Sequence, residues 1–262
     1  TEVSLDGISG SITNNPEALL TPYRTSSSTA PGQAISTMDG TPVYLRASLR
    51  DIESARKAMA GSAESIGLVR SEFFMPDDGS LPDRDFYYRV FGELCEIVKP
   101  LTVTIRLLDL APDKLPAGIS MDQLVGSALG LQGARLYATE PIHSMLDAQL
   151  LAIDQLSQKY NLRLLIPYLV SREELDHWSR YIRRSLTQSV PIGAMVETPA
   201  AALDYRRWLD IADFIAIGTN DLMQCLFAAD RDRPDLRQYL DPYAPLLYRF
   251  LQSMAPGSDQ PP

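Results

Sequence analysis

The chain has 262 residues, 45% of them hydrophobic and 22% charged, an ordinary globular balance with apolar material enough for a sizeable core. Its 24 Lys plus Arg against 33 Asp plus Glu leave a formal charge of −9, which speaks against nucleic-acid binding and against a polybasic membrane face. Two cysteines rule out a disulfide framework or a four-ligand zinc site, no apolar run nears the roughly 20 residues of a membrane span, and residues 1–30 lack a signal-peptide pattern, so a soluble, cytoplasmic protein is expected.

Residues 1–24 contain SLDGISGSITNNP, a strand-like stretch punctuated by Asp6-Gly7 and Gly10. Thr25–Gln33 is a Ser/Thr/Pro/Gly cluster, which places a linker over 25–36 and the main domain over 37–262. Six short aliphatic or β-branched runs follow: Val43–Ser48, Ser65–Arg70, Thr102–Leu108, Leu162–Tyr168, Ile192–Glu197 and Asp213–Ile217. Helical patterns lie between or after them at Asp51–Ala60, Asp83–Ile97, His143–Tyr160, Arg172–Leu186, Ala200–Asp210 and Pro245–Met254. Cys95 and Cys225 fall within helical apolar stretches and are expected to be small core residues.

Strand then helix, repeated, predicts an α/β fold with a parallel sheet, and near-continuous apolar strands such as LRLLIP predict burial on both faces. An open dinucleotide-binding sheet would carry G-x-G-x-x-G after a strand, and the chain has neither that motif nor G-x-x-x-x-G-K-[ST]. A (β/α)8 TIM-type barrel places functional residues at the C-terminal ends of many strands. Polar or charged residues end most strands here, which favours the barrel. Six of its ~8 strands are present, so the first and sixth are expected as open edges.

Four segments carry chemistry. GLVRSEFF sets Arg70 at a strand end with Glu72 close behind, and TIRLLDLAPDK repeats the pattern with Arg106, Asp109, Asp113 and Lys114. GAMVETPAA and IGTNDLMQ set Glu197 and Asn220-Asp221 after buried strands. Charge at the end of a core strand is costly unless paired or solvated in a cleft. Converging at one mouth, such residues form either a rim ion-pair network or a seat for a doubly anionic ligand with a hard divalent cation. His143 and His177 lie in helical stretches and read as surface or packing histidines.

GLVRSEFF, TIRLLDLAPDK, MVETPAAA, IGTNDLMQ and AADR together resemble the phosphoenolpyruvate-binding barrel of the phosphoenolpyruvate-utilising enzymes, most closely their protein-phosphotransferase (enzyme I) branch. The similarity runs from about Asp39 to about Arg249, and SLDGISGSITNNP is similar to the end of the family's phosphohistidine domain. The resemblance implies that Arg70, Arg106 and Arg231 hold the phosphate, that Asn220 and Asp221 contact the substrate, and that Glu197 and Asp221 ligate Mg2+. It also implies phosphoryl transfer to a histidine, a phosphohistidine domain and a histidine phosphocarrier protein as partners, and a homodimer. Three features depart from the pattern. Ala111-Pro112 replaces a glycine pair, Gln132 stands where the family has an arginine with Arg135 nearby, and the family's proton-donor cysteine belongs to a strand after those present. No catalytic acid is therefore assigned within this chain. A catalytically degenerate sensing or dimerisation module, and more remotely a magnesium-dependent aldolase or lyase barrel, are the competing readings.

Overall fold

The computed structural model describes residues 35–61, 63–76, 78–110 and 130–255, with the backbone of Ser4–Leu5 and Ile12–Thr13. The Asp6-Gly7 and Gly10 turn markers, the Thr25–Gln33 cluster, Asp113 and Lys114 lie outside the described residues. Strands β1 (Ser4–Leu5) and β2 (Ile12–Thr13) pair antiparallel, as do β3 (Ile35–Ser36) and β4 (Pro42–Val43). The first predicted strand, Val43–Ser48, is thus divided. Val43 pairs back on Ile35, and the main sheet starts only at Arg46.

From there strand and helix alternate. β5 (Arg46–Leu49) leads to α1 (Ile52–Ala60), β6 (Ser65–Arg70) to α2 (Arg84–Val98), and β7 (Val103–Arg106) to α3 (Ile142–Ser157). β8 (Leu162–Ile166) leads to α4 (Arg172–Ser185), β9 (Ile192–Val196) to α5 (Pro199–Asp204), and β10 (Phe214–Ile217) to α6 (Thr219–Leu226) and α7 (Pro245–Met254). The six strands β5 to β10 are parallel and neighbour one another in sequence order. The sheet curls into part of a TIM-type barrel, the predicted fold class, with β5 and β10 at its two edges.

Local chemistry starts the helices just past the strand ends. Asp51, Asp83, Ser171 and Thr198 each accept from a first-turn backbone N–H, from Ser54, Phe86, Glu174 and Ala201 respectively. Asp51 and Ser54 form a full capping box. Burial then holds the layers. Every residue of β9 is buried, and β8 has one half-buried residue among five, as expected for strands covered on both faces. β10 has none buried and β5 only Leu49, because each lacks a neighbour on one side. Between sheet and helices, Tyr87 stacks on Phe91 at 5.3 Å, and Trp178 meets Tyr137 edge-on at 5.1 Å.

The predicted helix Ala200–Asp210 is shorter. Regular helix stops at Asp204, and a tighter 3-10 turn, Tyr205–Trp208, drives Trp208 into the core with its indole N–H on Asp204 at 3.1 Å. Cys95 is buried as expected, its thiol pushed up to about 12 mainly by burial. Cys225 corrects the expectation: it is only half-buried, on α6 one turn beyond Asp221. Among the described residues no helix is long and apolar enough to cross a membrane.

Candidate functional site at the strand ends

Because the strands are parallel and in sequence order, their C-terminal ends open on one side. Arg70 and Arg106 end adjacent strands and are register partners. Glu197 directly follows β9, and Asn220 and Asp221 sit in the first turn of α6 just after β10. Arg231 arrives by a reversal. Ala228 takes a left-handed conformation, φ 50°, at the end of α6. The returning chain lets the Arg231 N–H donate to Gln224 Oε1 and its guanidinium reach Asp221 at 3.1 Å. All six sequence-predicted residues line one cleft of about 230 Å3, whose walls extend from Ser48 on β5 to Ile217 on β10.

The arginines are not equivalent. Arg106 is buried, and its Nη2 donates to Glu72 Oε1 and to Asp109 at 2.7 Å, while Nη1 lies 3.8 Å from the Met195 sulfur. Burial works against its charge, yet Asp109, Glu72 and Glu197 around it keep it firmly protonated. Arg70 is a third exposed. It gives its Nε to the same Glu72 oxygen at 3.2 Å and lies over the Phe73 ring, which leaves its outer nitrogens for a ligand. One carboxylate oxygen, Glu72 Oε1, therefore ties both strand-end arginines together. Glu72 Oε2 and Arg106 Nε are buried with no hydrogen-bond partner.

Glu197 is 1% exposed, and its proton affinity is raised to about 8, first by burial and then by Asp109 and Asp221; Arg106 and the Tyr168 N–H pull the other way. Its Oε1 accepts from the Tyr168 backbone N–H at 2.7 Å. Its Oε2 lies where a Cβ on Gly218 would stand only 2.6 Å away, so this turn needs glycine for space. Among the described residues no cluster of three or more His, Cys, Asp or Glu could cage a metal. The Glu197 and Asp221 pair suits a hard cation that keeps ligand oxygens and water in its remaining positions.

Other candidates lie elsewhere. Arg135 does not line the cleft: it bonds the Gly130 carbonyl at 3.2 Å, pairs with Glu174 at 3.6 Å and covers the Tyr168 ring. It leaves the arginine missing at Gln132 unreplaced. His143 rests between the Tyr137 carbonyl and the Tyr181 hydroxyl as a packing histidine, and His177, exposed on α4 with its ring edge-on to Trp178, is a surface one, within the expectation of surface or packing histidines. The bridging of two arginines by Glu72, the Tyr168 N–H and the bare Gly218 were not assigned roles from sequence. Only the R-S-E spacing hints at the first, and only a glycine at a strand end at the last.

Fold and mouth define a β/α-barrel module with arginines, carboxylates and an exposed amide directed at one small polar cleft, an arrangement able to take a compact polyanion with a hard cation. Residues 25–260 match the family model described as PEP-utilising enzyme, PEP-binding domain. The chain is 32% identical over 227 residues to a multiphosphoryl transfer protein of Xanthomonas campestris, covering 85% of this chain and 27% of that one. It is 34% identical over 228 residues to a phosphoenolpyruvate-protein phosphotransferase of Cupriavidus necator, covering 82% and 39%. A phosphoenolpyruvate-protein phosphotransferase of Geobacillus stearothermophilus is 28% identical over 270 residues, covering 95% and 46%. The chain thus spans less than half the length of these relatives. It belongs to the phosphoenolpyruvate-utilising enzymes and carries their phosphoenolpyruvate-binding domain.

Proposed function

We propose that this chain is the phosphoenolpyruvate-binding domain of a phosphoenolpyruvate–protein phosphotransferase, holding its substrate with Mg2+ for phosphoryl transfer to a histidine. The observation that carries the proposal is the convergence of Arg70, Arg106, Arg231, Glu197, Asn220 and Asp221 on one cleft within a chain of this family. In the same proposal residues 1–24 end a phosphohistidine domain, a histidine phosphocarrier protein is the next acceptor, and the whole protein is a homodimer.

Charge supports the cation. Three guanidiniums share the mouth with four carboxylates, those of Glu72, Asp109, Glu197 and Asp221, an excess of one negative charge before any ligand enters. Burial, reinforced by Asp109 and Asp221, holds a proton on Glu197 up to about pH 8 and so masks that excess until a cation displaces the proton. Adding a phosphate and a carboxylate deepens it, and a divalent ion held by Glu197 and Asp221 offsets it. Bound there, Mg2+ supplies electrostatic stabilisation of the enolate oxygen.

The chain's own residues do the rest. Transfer breaks the bond between phosphorus and the enol oxygen, forms one to the histidine nitrogen and leaves an enolate. Arg70 and Arg231 present guanidinium N–H groups to phosphoryl oxygens, and the buried Arg106 adds a fixed positive charge beneath them that needs no reorganisation during transfer. The Asn220 side chain, exposed at the start of α6, donates to the substrate. Protonation of the enolate carbon falls to the thiol that the family resemblance places on a following strand.

Calorimetric titration of the folded chain with phosphoenolpyruvate, with and without Mg2+, tests the proposal. Binding that strengthens with Mg2+ is expected, and no binding up to about millimolar ligand refutes it.

A further inference from the structure

Tyr168 has a backbone that its residue type disfavours. Its φ is 53°, in the left-handed region where a bulky aromatic residue is an outlier. Such a conformation persists only where the surroundings over-determine it, and it points to a function. Four contacts fix it. The Tyr168 N–H donates to Glu197 Oε1 at 2.7 Å, and the carbonyl of the next residue, Leu169, accepts from Thr198 Oγ1 at 3.2 Å. Consecutive residues of the loop after β8 are thus strapped to consecutive residues of the loop after β9. Below, Gly133, itself at φ 54°, lies so close that a Cβ there would come within 2.5 Å of the Tyr168 Cβ. Above, the Arg135 guanidinium covers the Tyr168 ring at 5.7 Å.

We propose that Tyr168 is a positioning residue for Glu197: its left-handed backbone aims one N–H at Glu197 Oε1 and so holds Oε2 at the cleft wall beside Gly218. The inference rests on the reading of Glu197 as the carboxylate that serves the cation. The backbone N–H does the positioning, and the strap from Thr198 to the Leu169 carbonyl holds the loop without calling on the Tyr168 side chain. In a β or helical conformation the peptide rotates, and the N–H leaves the carboxylate. Glu197 then loses the backbone hydrogen bond that selects its orientation.

Residue types with different tolerance of positive φ separate this from a general packing role. Glycine adopts that region freely and asparagine does so readily, whereas β-branched valine does not. Tyr168→Gly and Tyr168→Asn should keep Mg2+-dependent phosphoenolpyruvate affinity within about threefold of the parent chain, while Tyr168→Val weakens it by about tenfold or more. Binding without Mg2+ should change little in any of them. In a Glu197→Gln background, Tyr168→Val should cost nothing further. Equal losses in the glycine and valine variants, or a valine penalty that survives in Glu197→Gln, would overturn the proposal. A second measurement needs no ligand and no Tyr168 variant. The Tyr168 amide proton in an NMR spectrum of the 262-residue chain should lie downfield and move upfield in Glu197→Ala, which removes the accepting oxygen. An amide that stays in place refutes the contact. A parent chain that fails to bind phosphoenolpyruvate while the amide behaves as expected refutes the proposed function and leaves the positioning role standing.

Discussion

Gly218→Ala is the sharpest single test of how the cleft is built. The φ of Gly218 is −95°, which alanine adopts without strain, so any cost comes from space. The added methyl would stand 2.6 Å from Glu197 Oε2, 2.7 Å from Glu197 Cβ and 2.9 Å from the Met195 methyl. The carboxylate and the Met195 end can swing away, but Glu197 Cβ is fixed at the end of a fully buried strand. Overpacking of this kind costs about 1–3 kcal/mol, and displacing the carboxylate from the Tyr168 N–H adds about 1.5–3 kcal/mol. A total of roughly 2.5–6 kcal/mol predicts a melting point lower by about 5–24 °C in a domain of this size. Mg2+-dependent phosphoenolpyruvate binding should weaken with it. Gly92→Ala is the internal control. Gly92 is inside α2, and its new methyl would meet only Leu156 Cδ2 at 3.5 Å, an ordinary contact. Relief of glycine's helix penalty should then stabilise the chain by about 0.5–1 kcal/mol. Urea unfolding of both variants, with ligand titration of Gly218→Ala, decides it. A Gly218→Ala chain that melts and binds like the parent would show that the packing around Glu197 is loose and that the reasoning from this clash is wrong.

Glu72→Ala removes the carboxylate shared by Arg70 and the buried Arg106, leaving Asp109 as the ion-pair partner of Arg106. Chemical unfolding should show a loss of about 2–4 kcal/mol, against close to nothing for Glu53→Ala in its exposed surface pairs. Glu197 binds its proton more tightly folded, at about 8, than its ordinary value of 4.5. The stability it contributes is therefore complete below 4.5 and lost as pH climbs through about 8, so denaturation midpoints should fall across that window and Glu197→Gln should flatten the decline. Glu197→Gln should also weaken phosphoenolpyruvate binding far more with Mg2+ than without; equal losses in calorimetry would make Glu197 a structural rim residue instead.

The sequence by itself determined the strand and helix alternation, because each piece is local. Aliphatic runs specify buried strands, and Asp51, Asp83, Ser171 and Thr198 are capping residues whose hydrogen bonds reach only three positions along the chain. It also supplied the six cleft residues, since charge at the end of a buried strand is conspicuous without any structure and their motifs resemble a family. Tertiary structure alone decided how those residues share the space. Glu72 meets Arg106 across 34 positions and Tyr168 meets Glu197 across 29, distances over which pattern carries no geometry. Burial at the end of β9, with Asp109 and Asp221 brought alongside by the curl of the sheet, raises the proton affinity of Glu197, and no count of charges along the chain says so. The left-handed Tyr168 was equally hidden, because the residue type argues against that conformation and only packing on Gly133 and the bond to Glu197 impose it. Arg135 and Cys225 show the converse. Arg135 belongs to a matching segment yet is drawn aside by Glu174, and Cys225, apolar in its local context, stands one turn from Asp221 at the margin of the site. What is local in the physics was legible in the sequence, and what depends on neighbours brought together through space was settled by the fold.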